Sequence, residues 1–187
     1  MGYYLRNEQY EKAESCLVYF SEQNSEKKRK QAEIYSKTGR REEAYRAYEE
    51  LLFSGYQNLQ LVLTSMYLLA MEEKDWERAH RMEAKLSDLA RLFEMGRYYE
   101  VSCRLELAIQ EKDVDKVLTI METMLESVDD LGNFQKSSLY EHMTFRKPDE
   151  EFRKRMKENL RTCFADEETC GFLKGEERWE RLIGKSV

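Results

Sequence analysis

Apolar residues recur along most of this chain at the three- and four-residue spacing of amphipathic helices. Each such stretch carries one apolar stripe, and the remaining positions are mostly charged. The clearest stripes are Ala44, Tyr48, Leu51 and Leu52; Trp76, Ala79, Met82 and Leu86; and Val114, Val117, Leu118, Met121, Met124 and Leu125. With one proline and eight glycines in 187 residues, the pattern predicts an all-α chain.

One stretch, from Leu59 to Met71, is apolar almost all round. A helix of this kind is normally buried between neighbouring helices, so we expect it in the middle of the structure, with some apolar residues free to line a groove. Helix ends are predicted at Gly39, Gly55 and Gly132, because glycine suits the left-handed residue that terminates a helix.

A polar phrase followed by a small apolar residue occurs four times. Its copies are Asn7–Ala13, Thr38–Ala44, Glu73–Ala79 and Glu111–Val117. The small residues that end the copies lie 31, 35 and 38 residues apart. This spacing scatters around the roughly 34-residue period of stacked helix pairs. Such arrays present extended binding surfaces, so the pattern favours binding over catalysis.

The residues from Tyr35 to Leu52, with the units around Trp76 and Val114, resemble the tetratricopeptide-repeat (TPR) superfamily. The resemblance covers about residues 1–128. It implies a right-handed superhelical solenoid of about four antiparallel helix pairs. The chain departs from the family at the crowded position of the first helices, where Ala32, Tyr67 and Leu105 stand, and the closing proline is missing.

The resemblance also implies a binding face, because first helices line the concave surface of such arrays. Arg29 and Lys37 would bind a carboxylate, and apolar side chains would hold the rest of a peptide. The alternative is that these are ordinary solvated or inter-helix residues. The predicted peptide-binding positions are Arg29, Glu33 and Lys37; Thr64, Leu68 and Met71; and Ser102, Glu106 and Ile109, with Ser36, Glu72 and Gln110 beside them.

The C-terminal part breaks from the repeat. We predict a TPR-like array over residues 1–131, whose first helix pair is truncated, and a divergent helical cap over residues 132–187. Trp179, Leu182 and Ile183 are expected to seal the last apolar face. The ending resembles that of repeat-bearing helix-turn-helix transcriptional regulators of Gram-positive bacteria, which implies that the chain is the C-terminal part of a longer protein.

Net charge is −6, which argues against direct nucleic-acid binding by this chain. Seven basic residues nevertheless lie between Glu26 and Arg41. They form either a solvated helix face or a contact for an anionic ligand. The N-terminus has no signal peptide and no window is apolar enough to span a membrane, so we expect a cytoplasmic protein without a membrane partner.

The four cysteines form no Cys-x-x-Cys pair, and reduced thiols are expected. His80 is expected to be partly buried and hydrogen-bonded. His142 with Cys163 and Cys170 does not have the spacing of a zinc module. No catalytic motif occurs, so we expect neither an enzyme nor a cofactor.

These observations predict a module that binds a peptide or a protein, serving as the sensor or dimerisation part of a cytoplasmic bacterial transcriptional regulator. A homodimer is one option for the partner. A ligand would act by favouring one curvature of the array. The alternative is a constitutive scaffold or adaptor that mediates protein–protein interaction without switching.

Overall fold

The computed structural model describes residues 1–21 and 24–184 of the chain. No strand occurs in these ranges, which confirms the predicted all-α class. The α-helices are α1 (Gly2–Arg6), α2 (Tyr10–Ser15), α3 (Ser25–Lys37), α4 (Arg41–Glu72), α5 (Trp76–Leu92), α6 (Arg97–Ser102), α7 (Leu105–Gln110), α8 (Val114–Ser127), α9 (Glu150–Phe164), α10 (Glu167–Cys170) and α11 (Glu177–Leu182). Short 3₁₀ helices occupy Cys16–Tyr19, Val128–Asp130, Asn133–Lys136, Ser138–Tyr140 and Gly171–Leu173.

The four copies of the polar phrase form one and the same turn. A residue with positive φ stands five places before each small residue: Glu8, Gly39, Lys74 and Lys112, with φ of 55°, 79°, 57° and 55°. The amide after it bonds back to a carbonyl five residues earlier, at 2.9, 2.9, 2.9 and 3.1 Å. This 6→1 bond is the mark of a Schellman helix end. Each copy of the phrase therefore contains the same kind of helix end, which also occurs at Glu94, outside the four copies.

The residue after the left-handed position begins the next helix. In two copies it is an aspartate whose side chain accepts a hydrogen bond from a backbone amide three residues on: Asp75 from Arg78 at 3.0 Å and Asp113 from Lys116 at 3.1 Å. The small residue that ends each copy is buried in all four, at Ala13, Ala44, Ala79 and Val117.

The chain forms two compact units. The first comprises Met1–Asn58 with Gln135–Phe145, and the second comprises Leu59–Phe134 with 146–184 of the described chain. These units divide the chain at other places than the predicted boundary between residues 131 and 132. That boundary concerns where repeats give way to a cap, and it stays a prediction.

The first unit has a small core, in which Ala13, Leu17 and Ile34 are buried among partly buried residues near the N-terminus. Three aromatic rings form a second contact in this unit. Phe53 packs edge-on against Tyr140 and Phe145 at centroid distances of 5.5 and 5.4 Å. The 135–145 segment is thereby tied to α4.

The second unit has the larger core, which is built around α8. The predicted stripe of α8 is buried at Val117, Leu118, Met121, Met124 and Leu125. From the C-terminal part, Trp179 is fully buried in this core, and Leu182 and Ile183 pack against it partly buried. The expected sealing of an apolar face by these three residues is confirmed.

The predicted helix end at Gly55 is wrong. α4 runs without interruption from Arg41 to Glu72, so the second helix of one predicted pair and the first helix of the next are a single helix. Gly55 lacks the positive φ that a helix end would give it. A lone glycine costs a helix only about 1 kcal/mol, which the packing of neighbouring residues, such as Phe53 and the buried Tyr56, offsets.

Substituting Gly55 with alanine is therefore expected to stabilise the protein by about 0.5–1 kcal/mol. A Cβ atom at this position meets nothing within 4 Å, so the gain in helix propensity carries no steric cost. Urea unfolding measures the change. The matched control is Gly39→Ala, which should destabilise the protein because Gly39 has a φ of 79°. Destabilisation by Gly55→Ala would indicate that the helix is interrupted at Gly55, and would contradict a continuous α4.

The Leu59–Met71 stretch is not buried between neighbouring helices as expected, and some of its apolar residues are free, as the same expectation allowed. Leu63, Tyr67 and Ala70 face the core of the second unit, as an ordinary amphipathic helix would. The other side of α4 is open to solvent. Its apolar residues are Leu61, Val62, Leu68 and Leu69, with exposed fractions of 66%, 56%, 43% and 48%. We call these four residues the outer face of α4.

Candidate ligand-binding groove

A groove of about 400 Å³ runs between α6 and α8 in the second unit. Its volume lies in the range of small-molecule and peptide pockets. We call it the α6–α8 groove. Its lining residues are Arg97, Val101 and Arg104 on one side, and Asp113, Asp115, Lys116, Thr119, Ile120 and Thr123 on the other.

Two short turns place the charged residues at this groove. Gly96, with a φ of 97°, precedes α6, so Arg97 is the first residue of that helix. On the opposite side, the cap formed by Asp113 brings Lys116 into the first turn of α8. Both cations thus stand at helix N-termini, where the backbone does not itself favour positive charge.

Two of the three cations that line the groove, Arg97 and Lys116, are held by loose ion pairs. Arg97 lies 3.4 Å from Glu100, and Lys116 lies 3.8 Å from Glu111. Exposed pairs at such distances contribute little, so both side chains can turn to a ligand at small cost. The groove therefore offers two available cations above an apolar floor of Val101 and Ile120.

Arg104 is held more firmly. It donates to the Ser87 hydroxyl at 2.8 Å and lies 3.5 Å from the buried carboxylate of Glu83. Its Nε is buried and makes no hydrogen bond of ordinary geometry. Arg104 therefore connects the groove to a buried polar network between α5 and the α6–α7 region.

Burial is the largest cause of the raised pKa values of two groups beside this network, Tyr67 and Cys103. It raises the pKa of Tyr67, with the carboxylates of Glu106 and Glu83 adding to the rise. Burial also raises the pKa of Cys103 to about 11. A thiol in this state is protonated at neutral pH and is a poor nucleophile.

The nine predicted peptide-binding positions fall in both compact units. Arg29, Glu33 and Lys37 belong to the first unit, and the other six belong to the second. None of the nine lines the α6–α8 groove. Ile109 packs partly buried against the large core, and Glu106 is exposed. The predicted set stays a prediction.

The groove residues follow a helical spacing in the sequence that does not by itself indicate a site. Arg97, Val101 and Arg104 are spaced i, i+4 and i+7, and Lys116, Thr119, Ile120 and Thr123 are spaced i, i+3, i+4 and i+7. The second set occupies one face of α8, whereas Arg97 and Val101 lie on α6 and Arg104 stands in the turn before α7. In the sequence these faces cannot be told from ordinary solvated faces, because nothing there shows that they lie opposite each other.

The basic stretch between Glu26 and Arg41 is largely paired inside the first unit. Its ion pairs are Lys28–Glu50 at 2.5 Å, Arg29–Glu26 at 2.6 Å, Lys30–Glu33 at 2.9 Å and Arg40–Glu14 at 2.9 Å. This arrangement favours the interpretation of a solvated helix face over a contact for an anionic ligand.

The two histidines are both held by carboxylates. His80 lies 2.7 Å from Glu111 through Nε2, and its side chain is more exposed than we expected, at 44%. His142 belongs to the first unit, where its Nδ1 and backbone N–H contact the buried Glu49 at 2.6 and 2.7 Å. The Tyr45 ring stacks on the imidazole at 4.8 Å. The described residues contain no group of three His, Cys, Asp or Glu side chains placed to hold a metal ion.

Within 1–21 and 24–184, no helix combines the length and apolar character needed to cross a membrane. Comparisons with protein-family models, with curated proteins and with solved structures returned no match. The geometry of the chain itself is thus the basis of the functional proposal.

Proposed function

We propose that the chain is a peptide- or protein-binding module, built as a TPR-like superhelical array, and that it is the sensor or dimerisation part of a cytoplasmic bacterial transcriptional regulator. The α6–α8 groove is the observation that carries the proposal of binding. The four equivalent turns support the repeat array. The regulator assignment is supported by the resemblance of the C-terminal end.

The chemistry of the groove suits a short peptide with a free carboxylate. Arg97 and Lys116 supply two cations that are only loosely paired. The hydroxyls of Thr119 and Thr123 line the same side as Asp115, whose exposed carboxylate, 3.4 Å from Arg178, suits the peptide's amides or amino groups. A ligand with both charges and an apolar side chain matches this mixture better than a simple anion does.

A peptide in this groove would contact α6 and α8 at once. Such a ligand shifts the population toward the spacing of the two helices that it binds best. Arg104, through Ser87 and Glu83, links this spacing to α5. This is the route by which binding would alter the curvature of the array.

Charge reversal at Arg97 and Lys116 tests the proposal. The probe is a fluorescent pool of random pentapeptides with a free carboxylate, followed by anisotropy. We expect saturable binding by the natural sequence and an affinity at least about tenfold lower for Arg97→Glu with Lys116→Glu, since charge-assisted hydrogen bonds contribute about 1.5–3 kcal/mol each. Glutamate in the first turn of a helix is favourable, so the variant should remain folded.

The matched control is Lys85→Glu with Lys154→Glu, which makes the same change in net charge at exposed positions outside the groove. It should bind the pool like the natural sequence, and C-terminal amidation of the pool should weaken binding. Absence of binding by the natural sequence would contradict the proposal.

The pair Arg29→Glu with Lys37→Glu tests the face predicted from the sequence with the same probe.

A further inference from the structure

The outer face of α4 is the most exposed cluster of aliphatic side chains in the second unit that lies on a single helix. Its four residues are each 43–66% exposed, while Leu63 and Tyr67 on the opposite side pack against the core. Exposed apolar patches of several hundred Å² are uncommon on monomers and often mark interaction sites.

The lack of charge along this helix indicates the chemistry of the partner surface. No charged residue occurs from Leu51 to Met71. In a chain with 36% charged residues, such a gap is a specific property of this helix. A partner with a charged contact surface would lose hydration here and gain no ion pair. The complementary surface is itself apolar and uncharged.

The outer face is symmetric about one residue. Ser65 lies four residues from Leu61 and from Leu69, and three residues from Val62 and from Leu68. If two α4 helices run antiparallel and cross at Ser65, Leu61 of each copy faces Leu69 of the other, and Val62 faces Leu68. This is the self-complementarity that an isologous two-fold interface requires. The small serine at the centre permits close approach of the helices.

We propose that a second copy of this chain covers the outer face of α4, in a two-fold dimer whose α4 helices cross antiparallel at Ser65. This dimer rests on the proposed function, because it names the surface through which a dimerisation part would associate. Pairing of the two four-residue faces would give a small interface, below the roughly 1,200–2,000 Å² of standard stable complexes. The dimer is therefore expected to dissociate on dilution.

Disulfide trapping tests the position of the two-fold axis. The exposed Cys163 is first replaced by serine, and Ser65→Cys is then introduced. A bond between two cysteines needs Cα atoms about 4.4–6.8 Å apart, which only residues at the axis of the crossing satisfy. We expect rapid formation of a covalent dimer under mild oxidation, seen on a non-reducing gel.

The matched control is Ser54→Cys in the same background. Ser54 is also an exposed serine, three turns before Ser65 on the same side of α4. With the axis at Ser65, the two copies of residue 54 would be separated by roughly 30 Å along the helices, at 1.5 Å per residue. Equal trapping at both positions, or none at Ser65, would overturn the proposed dimer.

Light scattering coupled to size exclusion, over a wide range of concentrations, gives an independent test. The natural sequence should approach the mass of a dimer as concentration rises, and Leu61→Glu with Leu68→Glu should stay a monomer. These outward positions leave the core intact, so the variant should still unfold cooperatively and still bind the pentapeptide pool. A natural chain that is monomeric throughout, or a variant that still dimerises, would overturn the proposal. Loss of peptide binding alone would instead count against the groove.

Discussion

Replacing Trp179 with alanine is expected to destabilise the protein by about 3–5 kcal/mol, the usual cost of removing a large buried aromatic side chain. Trp179 is 0% exposed in the main core of the second unit. Its indole N–H donates to the carbonyl oxygen of Phe164 at 2.9 Å, so the substitution leaves both a cavity and a carbonyl without this donor. Urea unfolding should show a much lower midpoint.

The other tryptophan provides the control. Trp76 is 42% exposed at the start of α5, and Trp76→Ala should cost far less than Trp179→Ala. If the two substitutions had equal effects, the C-terminal segment would not be part of the core. The result would then contradict the assignment of residues near the C-terminus as the seal of this unit.

His142 is expected to make the stability of the first unit depend on pH. The hydrogen bond to Glu49 raises the pKa of His142, with partial burial opposing the rise and the charges of Glu49, Glu42 and Glu141 adding to it. The folded state thus binds the proton more tightly than the unfolded state. The contribution to stability is complete below the unfolded pKa of roughly 6.5 and is lost as pH rises through the higher folded pKa.

The test compares thermal midpoints of the natural sequence and of His142→Gln from about pH 5 to pH 9. Glutamine keeps a donor for Glu49 but cannot be charged, so the variant should be less stable at low pH and should approach the natural sequence at high pH. The control is His80→Gln, at the only other histidine of the sequence. In a background that carries His80→Gln, the addition of His142→Gln should still lower the thermal midpoint at low pH and not at high pH. A constant gap between the natural sequence and His142→Gln at every pH would contradict the role of the His142 proton.

Local patterns in the sequence were sufficient to predict the helical class and the four helix starts that follow the polar phrase. The turn phrase combines a residue in the left-handed region, a helix-starting residue and a small buried residue within six positions. Each of these is set by backbone sterics and close packing at short range. The role of Trp179 in sealing an apolar face was also predicted from its position with Leu182 and Ile183 in the C-terminal part of the chain.

Long-range features could not be predicted in the same way. The continuity of α4 depends on what packs against it on each side of Gly55, and glycine alone is compatible with either a turn or a helix interior. The outer face of α4 has the same composition as a buried face, so only the structure shows that Leu61 and Leu68 are exposed. The α6–α8 groove requires knowing which faces of two helices lie opposite each other.

The binding claim is tested most directly by a two-dimensional amide NMR titration of the natural chain with the free-carboxylate pentapeptide pool. We expect saturable shifts concentrated at Val101, Thr119, Ile120 and Thr123, which line the α6–α8 groove. Saturable shifts confined to the face of Ser102, Glu106 and Ile109 would favour the surface predicted from the sequence and contradict the groove. No saturable shift anywhere in the chain would contradict peptide binding itself.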